Sequence, residues 1–102
     1  MKNLLLNAVE ELMNRVDAQL VNVRKDIRNA DGLKERMNIV LNNRIEIINK
    51  LDKIDYLKEQ IEIRFPEEIN EIELAERYIR NINIQLEDLA FIVNDMNQVI
   101  EA

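Results

Sequence analysis

An all-α fold is what this sequence predicts: three long amphipathic helices, packed as an up-down-up bundle or drawn out into an elongated coiled-coil-like assembly, with self-association expected either way. Three observations carry that expectation. Apolar residues recur at steps of three and four along the chain, 47% of the 102 residues are apolar, and Gly and Pro occur once each. So little turn-forming material cannot connect many short strands, which excludes an all-β or doubly wound architecture. A chain of this length holds one core, or shares one with a second copy, so residues 1–102 are read as a single helical domain.

The first helix is expected over residues 2–30, where Leu6, Val9, Met13, Val16, Leu20, Val23, Ile27 and Ala30 keep helical spacing, with Leu5 and Leu12 widening the stripe. Lys2 followed by Leu4, Leu5 and Leu6 resembles the start of a leader, but Glu10 and Glu11 end the apolar run, so the segment reads as a helix start. Asn29-Ala30-Asp31-Gly32 then interrupts the pattern. Gly32 is able to take the left-handed conformation that closes a helix, and Arg24, Lys25 and Arg28 lie in the preceding turns, where the helix dipole favours cations.

The second helix is expected over residues 33–64. Its seam of Leu33, Met37, Val40, Ile47, Leu51, Ile54, Ile61 and Phe65 is interrupted by Arg44 and Lys58, and Leu41, Ile45 and Ile48 are expected to broaden it into a core-facing stripe. Phe65-Pro66-Glu67-Glu68 is the second interruption. Pro66 pushes Phe65 out of helical geometry, and the two glutamates after it suit a helix start, so the third helix is expected over residues 66–101 with Pro66 in its first turn. Its seam is the cleanest: Ile72, Ala75, Ile79, Ile82, Leu86, Leu89, Val93, Met96 and Ile100, widened by Ala90, Ile92 and Val99.

Stripes of three apolar residues per heptad suit a bundle, and short links favour antiparallel neighbours. The elongated alternative rests on a seven-residue spacing that runs unbroken from Val9 through Val16, Val23 and Ala30 to Phe65, Ile72 and Ile79, across both interruptions. Read that way, Gly32 and Pro66 mark kinks rather than turns.

Several chemistries lose their usual residues. The chain has no Cys, His or Ser, which removes the thiolate and imidazole metal ligands, the usual neutral-pH base and the serine elbow. Glu10, Glu46, Glu59 and Glu62 lie off the apolar stripes and read as solvated helix faces. A non-enzymatic protein without cofactor, metal or small-molecule substrate is expected. Arg24, Lys25, Arg28, Lys34 and Arg36 cluster at the first interruption, yet a net charge of −6 and no interleaved aromatics argue against nucleic acid. No run of about 18 apolar residues would span a membrane, and a cytoplasmic, soluble protein is expected.

Charge and apolar surface both single out the third helix. From Pro66 onward nine acidic residues face two basic ones, a net of −7, whereas residues 1–65 carry twelve basic and eleven acidic, a net of +1. Ile84 and Phe91 point opposite the Leu86-Leu89-Val93 seam, and Leu89-Ala90-Phe91-Ile92-Val93 is apolar all round. Leu4 and Val21 sit off the first stripe in the same manner. The expected function is therefore a protein interaction module, an adaptor, assembly factor or chaperone-like protein that forms homo-oligomers and meets a protein partner through Ile84, Asp88, Phe91, Ile92 and Asp95. The alternative is a small acidic inhibitor, of the kind phages and mobile elements encode, that blocks a nucleic-acid-handling or defence protein of the host.

Overall fold

The computed structural model describes the backbone of residues 1–101 and the side chains of residues 1–91. Three helices follow one another: α1 over Lys2–Asn29, α2 over Leu33–Arg64 and α3 over Ile69–Glu101. Both interruptions are turns, so α2 runs antiparallel to its neighbours and the molecule measures 54 × 19 × 16 Å. This decides between bundle and continuous rod in favour of the bundle.

The first turn is built differently from its expectation. Ala30, not Gly32, closes α1, with an extended backbone (φ −72, ψ 142) and its N–H donated to the Ile27 carbonyl. Gly32 is itself extended (φ 160, ψ 168) and stands at the N-cap of α2. Its carbonyl accepts the first helical bond, from the Arg36 N–H at 3.1 Å. Glu35 reaches back to accept the Asp31 N–H at 3.0 Å, one residue before the N-cap, and so fastens the turn to the start of α2. Arg36 donates its Nε to the Ile27 carbonyl at 3.3 Å, so part of the basic cluster satisfies a helix end.

The second turn also corrects its expectation. α3 begins at Ile69, not at Pro66. Pro66 occupies a tight turn in which the Glu68 N–H is donated to the Phe65 carbonyl at 3.0 Å, and Glu68 then accepts the Ile72 N–H at 3.1 Å. Proline's fixed φ suits the second position of such a turn as well as it suits a first helical turn, and the turn wins because α3 must fold back on α2. Lys2 Nζ pairs with Glu68 at 2.7 Å, fastening the start of α1 to this turn.

One core threads all three helices. Val9, Val16 and Leu20 of α1 meet Ile47, Leu51, Ile54 and Ile61 of α2 and Ala75, Ile82 and Leu86 of α3. Each fully buried aliphatic side chain of this kind contributes about 1.5–3 kcal/mol. Leu5, Leu6, Leu12 and Met13 pack against its edge as partly buried residues, and no described polar side chain is buried. The expected broadening of the α2 stripe fails. Leu41 and Ile45 stand 53% and 64% exposed, on the side of α2 turned away from both neighbours, while Ile48 is half-buried. The α2 seam already supplies five buried residues, and between two flanking helices its third side has nothing to pack against.

Candidate interaction surfaces

α1 and α3 approach one another far less closely than either approaches α2. Polar side chains add to the shared core in joining them. The Tyr78 hydroxyl lies 2.7 Å from both the Met13 carbonyl and Asp17 Oδ1, donating its single proton to one at a time. Burial, and then the hydrogen bond and negative charge of Asp17, push the Tyr78 pKa well above the ordinary 10.0. Farther along the seam Arg24 Nη2 donates to Gln85 Oε1 at 2.6 Å.

Between the Tyr78 bridge and the Lys2–Glu68 pair the two helices part and leave a groove of about 440 Å³. Leu6, Val9 and Met13 form one wall, Leu74 and Ala75 the other, and Ile61 and Lys58 of α2 the floor. The small Ala75 occupies this layer where the layers above it hold Ile82 and Leu86, which is why the helices do not close it. Asn3, Asn7, Glu10 and Glu71 rim the opening.

Lys58, which interrupts the α2 seam in the sequence, is the ionic hub of the floor. Its Nζ sits 3.5 Å from Asp55, 3.7 Å from Glu62 and 3.4 Å from Glu76. Burial opposes its charge, but the Glu76 hydrogen bond and the fields of Glu62, Asp55 and Glu76 outweigh burial and raise its pKa above 10.5. An amine held protonated lacks the lone pair that lysine catalysis needs, and three carboxylates already answer its charge. The groove therefore presents an apolar trough with acidic lips, not a nucleophile or an anion site. Among the described residues no three carboxylates gather closely enough to hold a metal ion, and no helix is long and apolar enough to cross a membrane.

The expected partner surface on α3 is partly in view. Ile84 and Phe91 are 51% and 65% exposed, on the side opposite buried Ile82 and Leu86, and Asp88 is exposed between them. Ile92 and Asp95 lie outside the residues whose side chains are described. The four off-stripe glutamates divide: Glu10 and Glu59 are exposed, Glu46 accepts a 2.8 Å hydrogen bond from Gln19, and Glu62 belongs to the Lys58 hub.

A second surface was missed by reading the sequence. Leu41, Ile45, Tyr56 and Ile63 are all exposed on α2, and Ile63 is the most exposed at 74%. Ile45 and Ile63 stand about five turns apart and so share one azimuth. The signal was present, but Leu41 and Ile45 sit close enough to the seam in sequence to be read as its border.

No protein-family model, curated protein or solved structure matches this chain.

Proposed function

We propose that this chain is a non-enzymatic interaction module, an adaptor, assembly factor or chaperone-like protein, that captures a protein partner on the outer side of α3 and also self-associates. One observation carries the reading. Ile84 and Phe91 stand exposed two turns apart, on the side of α3 opposite the buried Ile82 and Leu86, with Glu87 and Asp88 beside them. Spaced apolar knobs on a rigid helix, set among acidic side chains, suit an apolar groove with a basic rim.

The acidic inhibitor is the second reading, favoured by the concentration of negative charge on α3 and the turn before it, at a net of −7 from Pro66 onward. The two readings separate by substitution. In a capture assay with tagged full-length protein, Phe91→Asp is expected to lose the partner while circular dichroism keeps its helical signal. Reversing Glu67, Glu71 and Asp88 to Lys is expected to change partner yield only modestly. Loss of the partner on charge reversal with retention in Phe91→Asp would favour the inhibitor and reject the knob reading.

A further inference from the structure

The groove between α1 and α3 combines apolar depths with unanswered negative charge at its opening. Val9, Ile61 and Ala75 are buried within it, and Leu74 on the α3 wall stands 46% exposed. Water held there meets few polar partners, so an apolar side chain displaces it favourably. Glu10 and Glu71, one on each side of the opening, are exposed, and neither pairs with a cation among the described residues. No Lys or Arg stands three or four positions from either on its own helix. Lys58, the one cation of the lining, already has Asp55, Glu62 and Glu76 about it. The field across the opening is therefore negative.

We propose that this groove docks a basic amphipathic helix of another protein, which lays apolar side chains against Leu6, Met13 and Leu74 and sets Lys or Arg side chains against Glu10 and Glu71. The walls select a helix over an extended segment. Both are helices with no free backbone edge, and the Met13 carbonyl is taken by Tyr78. An extended peptide would bury N–H and C=O groups without partners there, whereas a helix bonds its own. Leu6 to Met13 covers about 10 Å at 1.5 Å per residue, two turns, which matches apolar anchors at i, i+4 and i+7 of the occupant. Over this stretch the docked helix becomes a fourth member of the bundle, on the side where α1 and α3 approach least. Charge selects against a second copy as the occupant. The apolar knobs that α3 of a copy offers, Ile84 and Phe91, stand beside Glu87 and Asp88, which would meet Glu10 and Glu71 as like charges between chains that each carry a net −6. This site is separate from the outer side of α3 and goes beyond the partner argued for that side.

The test is fluorescence anisotropy of the full chain with a labelled synthetic helix, an alanine-rich peptide carrying Leu at i, i+4 and i+7 flanked by Lys. Saturable binding is expected with a micromolar Kd that rises with salt. Replacing the peptide's Leu residues by Gln at constant charge, or its Lys residues by Glu, is expected to weaken binding at least about tenfold. Glu10→Lys combined with Glu71→Lys is expected to weaken the Lys peptide at least about tenfold and to strengthen the Glu peptide, an exchange of preference that a folding defect does not produce. Glu87→Lys combined with Asp88→Lys alters net charge equally and is expected to leave the Kd within about twofold. Leu74→Gln is expected to weaken binding about fivefold while circular dichroism keeps its helical signal. Equal loss in both charge-reversed pairs, or undiminished binding of the Gln peptide, would mean diffuse attraction to an acidic protein and overturn the proposal. So would a wild type that binds no Lys peptide up to about 1 mM, or one whose mass doubles by light scattering at the assay concentration and halves again in Leu74→Gln, which would give the groove to a second copy. Phe91 lies outside the groove, so loss of the α3 partner in Phe91→Asp stands or falls separately from each of these outcomes.

Discussion

Tyr78 ties α3 to α1, the two helices that approach one another least, and its chemistry makes that tie pH-dependent. Its folded-state pKa stands above the ordinary 10.0, so the proton is bound more tightly folded than unfolded. The stabilisation is therefore complete below pH 10 and is lost as pH climbs above it, because the unfolded tyrosine ionises first. Lys58, raised above 10.5, loses its contribution in the same direction. Tyr78→Phe is expected to cost about 1 kcal/mol at neutral pH through the lost hydrogen bond. Thermal melts from pH 8 to pH 11 should show a shallower alkaline decline for Tyr78→Phe than for wild type. An unchanged slope would mean that this hydroxyl is not held as the geometry indicates. Neither role was legible in the sequence: Tyr78 lies on the border of the α3 seam, and Lys58 read only as an interruption of the α2 seam. What each does depends on Asp17 and Glu76, which only the packing of separate helices brings close.

At the scale of the element, the helices were legible because an apolar repeat of three and four has one efficient solution, and α1, α2 and the start of α3 differ from expectation by at most three residues. The ends were less legible because a single residue type serves several turn geometries. Gly32 read as a left-handed terminator, yet it is extended, and a Cβ added to it would meet no atom within 4 Å. Gly32→Ala is therefore expected to be neutral or to stabilise by up to about 1 kcal/mol, since it restricts the unfolded chain without straining the fold. A chemical denaturation midpoint that falls by the equivalent of more than about 1 kcal/mol would show that the turn needs glycine after all. Pro66 illustrates the same ambiguity from the other side, because its fixed φ fits a helix start and a β-turn equally. The outer stripe of α2 was misassigned for a different reason. Periodicity locates an apolar side on a helix, but which of two adjacent sides is covered depends on where the neighbours sit, and Leu41 and Ile45 fall on the uncovered one.

Across the whole molecule, α2 is the element that both neighbours need, and the weak α1–α3 seam sets how the fold comes apart. If α1 and α2 held together as a hairpin after α3 detached, unfolding would proceed in two steps. The composition of the core argues otherwise. Ile47, Leu51, Ile54 and Ile61 belong to a single cluster with Val9 and Val16 on one side and Ala75 and Ile82 on the other, so removing α3 would expose side chains that also seat α1. Ile47 and Ile54 are completely inaccessible to solvent. Truncating Ile54 to Ala should therefore cost about 2–5 kcal/mol, the range for a buried large-to-small change, and should destabilise the three helices together. The chain has two tyrosines and no tryptophan, so in a Tyr56→Phe background Tyr78 fluorescence reports the α1–α3 seam alone. In urea, with and without Ile54→Ala, that fluorescence and the helical ellipticity at 222 nm, about the usual helical minimum, should trace one coincident transition. A Tyr78 transition that precedes the loss of ellipticity would show α3 leaving a surviving hairpin, and the shared core would not be the single cooperative unit that its packing implies.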